Sequence, residues 1–186
     1  FKMGWDKMRT QRHKRMKEMG LIDPKWKLSD RDSRSYDWAI ANHDHEDLRM
    51  AVYAAMIDSM DQNIGRLMAA LKKSGEVDNT LVLFLSDNGG CAEEPGGRSS
   101  EIVPGPKEFY AAVGPSWGWA QNAPFRRYKS WAHEGGIATP CIAWWPGQVP
   151  AGKITQEVGH IIDFMPTFLE LAGGQYPKNY KGGKIL

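Results

Sequence analysis

Ten residues, Leu81 to Gly90, constrain this chain more than any other stretch; they read LVLFLSDNGG. Leu81 to Leu85 is an unbroken apolar run. Such a run predicts a strand buried on both faces of a parallel sheet. In open α/β sheets, ligands sit beyond the carboxyl ends of the strands, and Asp87 and Asn88 stand there. A carboxylate and an amide carbonyl are hard oxygen donors of the kind that Ca²⁺ or Mg²⁺ takes. Gly89 and Gly90 permit a sharp turn and a close approach of other groups. Asp-Asn-Gly-Gly is also an ordinary turn sequence. Taken alone, the ten residues leave both readings open, a turn and a metal site.

The segment ahead of the strand is a helix by periodicity. Tyr53, Ile57, Met60, Ile64, Leu67 and Leu71 recur at alternating steps of four and three, which predicts one face of a helix over residues 47–73. Asp44 and Asp47 have the spacing of a capping box at its start, and Gly75 is a natural terminator. Helix, glycine turn and buried strand make half of a βαβ crossover. Further upstream, Trp5, Met8, Met16 and Met19 mark one stripe of a helix that Gly20 ends. Residues 22–46 read as an extended surface segment, in which His43 and His45 belong to a solvated polar loop rather than to a metal cluster.

Basic residues concentrate between Lys2 and Lys27, but acidic residues and tryptophans interrupt them and no nucleic-acid motif is present. The net charge of +2 argues neither for nor against a nucleic-acid partner by itself, so the reading of no nucleic-acid partner rests on that interrupted stretch. No run is long enough to cross a membrane. Two cysteines, Cys91 and Cys141, are too few for a disulfide scaffold and lack zinc-ligand spacing.

Beyond the strand, residues 91–129 are rich in proline, including Pro95, and in aromatics: Phe109, Tyr110, Trp117, Trp119, Phe125 and Tyr128. Disordered segments lack such aromatics, so an irregular loop packed over a site is predicted. Cys141 to Trp145 reads as a second buried strand stopped by Pro146-Gly147, and residues 154–162 as a short strand ending at His160. Asp163 then looks like the N-cap of a helix bearing Phe164, Phe168, Leu169 and Leu171, and residues 175–186 form a polar tail.

Four of these segments, in this order, resemble the sulfatase family, and bacterial arylsulfatases in particular. They are the helix from Tyr53 to Leu71, DNTLVLFLSDNGG from Asp78, NAPFRRYKSWAHEGGIATPCIAWWPG from Asn122 and HIIDFMPTFLELAG from His160. GWDKMR from Gly4 and GLIDP from Gly20 are similar to the same subgroup. The resemblance implies an alkaline-phosphatase-like α/β fold, a mixed or parallel sheet flanked by helices, with its amino-terminal strands missing. Residues 1–186 would then be part of a catalytic domain. Residues 1–46 form a helix and surface segment, 47–90 the helix and metal-site strand, 91–140 the active-site loop, 141–174 strands and a helix, and 175–186 the tail.

The resemblance also implies roles. Asp87 and Asn88 correspond to half of a Ca²⁺ shell, and Lys129 to the lysine that contacts the sulfate and the leaving oxygen. A fixed ammonium stabilises the charge that grows on those oxygens, and the metal acts as a Lewis acid. His133 is a candidate substrate contact, or a histidine packed on Trp131 as structure. Glu134 is expected to fix the loop by hydrogen bonds. Ala138 stands where many relatives carry arginine.

The family nucleophile is a formylglycine made from Cys/Ser-x-Pro/Ala-x-Arg, and neither cysteine nor any serine here fits that motif. The first Asp pair of the metal shell is absent as well. The chain therefore reads as a carboxy-terminal piece of a Ca²⁺-dependent sulfate-ester hydrolase, inactive alone, whose parent is periplasmic or secreted and acts on a sulfated small molecule or glycan. Two alternatives stand beside this reading. One is a phosphoester or phosphonate hydrolase of the same superfamily. The other is a non-catalytic carbohydrate-binding relative in which Trp117, Trp119 and Trp131 stack on sugars.

Overall fold

The computed structural model describes residues 1–94, 103–108, 110 and 112–185. Pro95 and Phe109 of the predicted loop lie outside the described residues. The chain divides into two compact units, Phe1–Gly152 and Lys153–Leu186.

The first unit opens with helix α1, Trp5–Glu18. It ends as glycine at position 20 predicts. Met19, Gly20 and Leu21 donate their backbone N–H groups to Arg15, Lys17 and Met16, and Gly20 takes a φ of 69°. Trp5 is fully buried, and Met8 packs against the core it belongs to. Met19, expected on the same stripe, is exposed. The face instead carries Arg9, four residues on from Trp5 and only 1% exposed. Its Nε donates to the Trp119 carbonyl (3.2 Å), and Nη1 to the Ser29 carbonyl (2.9 Å). Nη2 reaches Ser29 Oγ (2.8 Å) and the carbonyls of Pro124 (3.2 Å) and Phe125 (2.7 Å). The guanidinium also lies over the Trp119 ring, 4.2 Å from its centre. Burial pushes the Arg9 pKa down to about 10, so the group stays charged at neutral pH.

Residues 22–42 run mostly exposed and irregular, as expected of a surface segment, but the segment also contributes to the core. Ile22, Asp32 and Ser35 are buried. Trp5 stands edge-on to Tyr36, Trp38 and Trp117, and its Nε1 donates to the Tyr36 carbonyl (3.0 Å). The polar composition of the segment concealed this, because its aromatics needed a partner from α1 to become core.

Helix α2, His43–Ser74, is 32 residues and about 48 Å long. It starts before residue 47 because Asn42 caps it, accepting from the His45 N–H (3.2 Å). The suggested Asp44–Asp47 capping box does not form. Asp44 pairs with Lys2 (3.0 Å) and Asp47 with the amino terminus (2.6 Å). Gly75 closes the helix in the left-handed conformation. His43 and His45 lie in the first turn, and the His43 ring stacks on Trp38. Only the amino-terminal part of α2 is buried, at Glu46 and Met50. The predicted apolar face is present, but Tyr53, Ile57, Met60 and Leu67 are exposed.

Strand β1, Val82–Leu85, pairs with β2, Cys141–Trp144, with Val82 opposite Trp144 and Leu85 opposite Cys141. The pairing is antiparallel, and Phe84, Ile142 and Trp144 are exposed. This corrects the expectation of a strand buried on both faces of a parallel sheet. A continuous apolar run reports that both faces are apolar and carries no information on the direction of the neighbouring strand.

The region after β1 is less irregular than predicted. Helix α3, Gly114–Gln121, has Pro115 in its first turn, and α4, Glu134–Ile137, is a single turn. Trp117, Trp119 and Ala120 of α3 form the core with Trp5, Met50, Ala92 and Tyr128. Trp117 Nε1 donates to the buried Glu46 carboxylate (2.9 Å), which also accepts from Tyr36 Oη (3.0 Å).

The second unit holds α5, Phe164–Leu171, and a hairpin of β3, Asn179–Tyr180, with β4, Gly183–Lys184. No strand forms at residues 154–162, and the expected polar tail contains the hairpin. Asp163 stands at the N-cap of α5 as expected, but its side chain serves a box in the preceding turn instead of bonding α5. There Asp163 accepts from the His160 N–H (2.7 Å), and His160 Nδ1 accepts from Ile162 (3.2 Å). The architecture as a whole is mixed α/β, and no helix among the described residues is long and apolar enough to cross a membrane.

Candidate active site

The residues singled out in the sequence meet in the first unit because glycines let two backbones touch. The turn after β1 is fastened to the segment 126–136 by paired hydrogen bonds. Gly89 N–H donates to the Gly136 carbonyl (2.9 Å), and Lys129 N–H donates to the Gly90 carbonyl (3.1 Å). A Cβ on Gly89 would stand 1.8 Å from the Gly135 carbonyl oxygen, and one on Gly136 would stand 2.0 Å from that of Trp131. Gly89, Gly135 and Gly136 are therefore required by contact with backbone, whereas a Cβ on Gly90 would meet only the side chains of Gln121 and Asn122.

Asn122 is the buried clip of this junction. Its Oδ1 accepts from the Gly90 N–H (2.8 Å), and its Nδ2 donates to the carbonyls of Gly118 (2.8 Å) and Arg127 (3.3 Å). Sequence reasoning passed over this residue, although it opens the NAPFRR motif. Arg127 and Ser130 flank Tyr128 and Lys129 at φ 67° and 75°. Non-glycine residues rarely adopt such values, and they mark backbone held by its surroundings. Arg127 Nη1 bonds the buried Asp32 (2.9 Å), as does Tyr128 Oη (3.2 Å). Burial and the Asp32 charge push the Tyr128 hydroxyl above its ordinary pKa.

At the surface of this framework stand the candidate ligands. The Asp87 carboxylate is exposed and makes no hydrogen bond or ion pair among the described residues. Asn88 Nδ2 donates to the Gly89 carbonyl (2.7 Å), and its side-chain oxygen accepts no hydrogen bond among the described residues. This pair fits a hard divalent cation in kind, but two oxygens are a minority of the six to eight that Ca²⁺ takes. No group of three or more His, Cys, Asp or Glu side chains is placed to hold a metal among the described residues.

Lys129 Nζ donates to Glu93 (3.3 Å), whose other oxygen accepts from Ser130 Oγ (3.0 Å). The Glu93 carboxylate holds the ammonium above the ordinary lysine pKa, and Cys91 and Asp87 add smaller pulls. The Ser130 and Lys129 donors in turn hold the Glu93 carboxyl below its usual range. Glu93 and Ser130 went unnoticed in the sequence, since neither lies at a motif spacing.

His133 caps α4 and its ring stacks beside Trp131, with centres 6.1 Å apart, as its structural reading required. Glu134 closes the α4 turn through its backbone carbonyl, which accepts from Ala138 (2.8 Å). Its side chain makes no hydrogen bond among the described residues, which corrects the expectation for that side chain. Of the three tryptophans named as sugar platforms, Trp117 is 0% and Trp119 4% exposed, so both are core. Trp131, 41% exposed, is the one at the surface, with the Arg127 guanidinium 4.3 Å over its ring.

Comparison with known proteins gives the arrangement a context. The family model described as Sulfatase matches residues 8–174. An uncharacterised sulfatase of Schizosaccharomyces pombe is 34% identical over 95% of the chain, and the arylsulfatase of Klebsiella aerogenes 32% over 93%. The chain spans 35% and 40% of the lengths of those two proteins. Human N-acetylgalactosamine-6-sulfatase is 34% identical over 65% of the chain. Among solved structures, Ps i-CgsB in complex with k-i-k-neocarrahexaose matches 93% of this chain and 35% of its own, at 26% identity and a TM-score of 0.53.

Proposed function

The chain belongs to the sulfatase family, and on that premise we propose that it forms part of the catalytic domain of a sulfuric ester hydrolase. The reaction adds water across the S–O bond of a sulfate ester and yields an alcohol and inorganic sulfate. One observation supports this reading above the others. The Asp87-Asn88 turn and the Lys129 segment are bonded backbone to backbone, so an oxygen-donor pair and an ammonium share one surface.

In this reading Lys129 binds an anionic sulfate oxygen and offsets the charge that develops as the S–O bond breaks. Its raised pKa keeps it protonated across the physiological range, as that role requires. Asp87 and Asn88 would supply oxygen ligands to a Ca²⁺ or Mg²⁺ ion, which when bound polarises the ester oxygens. The nucleophile, expected to be formylglycine, has no matching motif in this sequence. His133 sits three residues beyond Ser130 on the same exposed loop and is the candidate for contact with the alcohol portion of the substrate.

A sulfated carbohydrate is the substrate class best supported. One matching solved structure is described in complex with k-i-k-neocarrahexaose, and the human relative is named an N-acetylgalactosamine-6-sulfatase. The Klebsiella relative, named an arylsulfatase, keeps an aryl sulfate in the test. The test is hydrolysis of an aryl sulfate and of a sulfated oligosaccharide by the intact gene product containing this segment. We expect Lys129→Ala to lower turnover there by about 10²- to 10³-fold, with an unchanged circular dichroism spectrum. Near-normal turnover in that variant would remove the role given to Lys129.

A further inference from the structure

We propose that Lys129 and Ser130 form a two-donor oxyanion seat, and that Glu93 is its resident competitor and decides which anions enter. This rests on the assignment of Lys129 to substrate binding made above. The seat is visible in how Glu93 is held. Lys129 Nζ and Ser130 Oγ donate to different oxygens of the same carboxylate, at 3.3 and 3.0 Å. An ammonium and a hydroxyl aimed at two oxygens of one anion are also what a sulfate group asks of a binding site.

The aim of both donors is fixed by backbone. Lys129 N–H is bonded to the Gly90 carbonyl, and Ser130 holds a φ of 75° in a turn closed by Trp131 N–H on the Tyr128 carbonyl (3.2 Å). Cys91 Sγ adds a weak contact to the same Glu93 oxygen that Lys129 meets (3.7 Å). The Lys129 and Glu93 side chains are 39% and 55% exposed. Ion pairs as exposed as this contribute little to folding. The buried Arg127–Asp32 pair of the same unit is different, since Asp32 is walled in. The Glu93 contact can therefore open at small cost to the fold, and an incoming sulfate oxygen recovers the hydrogen bonds it releases. Binding becomes an exchange of one anion for another. A ligand with a single weak acceptor does not displace Glu93, whereas one presenting two charged oxygens does.

The test uses the 186-residue chain with inorganic sulfate as the probe, followed by NMR of the Lys129 side-chain ammonium. Glu93→Gln keeps the shape and removes the competing charge, and should tighten sulfate binding about fivefold while moving the Lys129 resonance. Ser130→Ala should weaken binding severalfold, and Lys129→Ala should abolish it. A merely structural role for Glu93 predicts weaker binding in Glu93→Gln, so a gain separates the two. Equal or weaker binding in Glu93→Gln, or no binding by either that variant or the parent chain, overturns the proposal. Wild-type affinity in Lys129→Ala traces the failure to the lysine assignment itself. Loss in Lys129→Ala with no change in Glu93→Gln overturns the proposal and leaves the lysine assignment standing.

Discussion

Lys129 is held at both ends, by its N–H on Gly90 and its ammonium on Glu93. Asp87, close enough to influence that lysine, has no such partner among the described residues. An uncompensated carboxylate beside an amide carbonyl is a weak cation site by itself. We expect the chain to bind Ca²⁺ with a dissociation constant of about 10⁻³ M or weaker, and Asp87→Ala to remove the calorimetric signal. Arg9 is the opposite case, a charge whose partners are neutral carbonyls and a ring. Arg9→Leu would strand several buried acceptors. It should cost about 3 kcal/mol or more, read as a fall in the urea midpoint. Lys129 and Asp87 stand out in the sequence through their motifs. Arg9 and Glu93 were not, because their importance lies in partners that are far away in sequence or that follow no periodic pattern.

At the scale of elements, the glycines divide by what surrounds them. Gly89 and Gly136 stand where two segments touch, while a Cβ added to Gly65 on α2 would meet nothing within 4 Å. Gly89→Ala should therefore push the strand-end turn off the 126–136 segment, lowering stability by about 1–3 kcal/mol. Gly65→Ala should raise it by about 0.5–1 kcal/mol, since alanine is the better helix former. Thermal melts of the two variants check both signs together. The helices α1 and α2 and the strands β1 and β2 were readable from periodicity and apolar runs. α3 was not, because its Gly-Pro-Ser-Trp-Gly-Trp sequence has poor helix formers and an almost wholly buried surface without an amphipathic pattern. The strand at 154–162 was over-read, since apolar residues alone do not make a strand without a neighbour to pair with.

At the scale of the molecule, the first unit has a dense aromatic core at one place and large apolar side chains exposed elsewhere. Tyr53, Met56, Ile57, Met60 and Leu67 on α2, and Phe84, Ile142 and Trp144 on the sheet, face solvent. The α2 residues recur at helical spacing and so line one exposed apolar stripe, and such a stripe marks an interaction site or an association liability. The isolated chain should therefore enhance the fluorescence of a hydrophobic dye and self-associate in sedimentation experiments as concentration rises. It should also hydrolyse no aryl sulfate, because it carries no formylglycine motif and few of the oxygens that a Ca²⁺ ion takes. Measurable turnover by the purified chain would overturn that expectation.

The sequence by itself determined the principal helices, the strands β1 and β2, the SDNGG turn and the lysine ahead of Glu-Gly-Gly, because those are written in local order: periodicity, apolar runs and motif spacing. The tertiary structure decided the rest. It set the antiparallel direction of β1 against β2, sent Trp117 and Trp119 into the core, made Arg9 the tie between α1 and the 119–125 segment, and placed Glu93 on Lys129. The physical reason is the same each time. Strand direction, burial of a polar group and the partner of a charge depend on which distant backbone arrives beside a residue, and spacing along the chain does not encode that arrival.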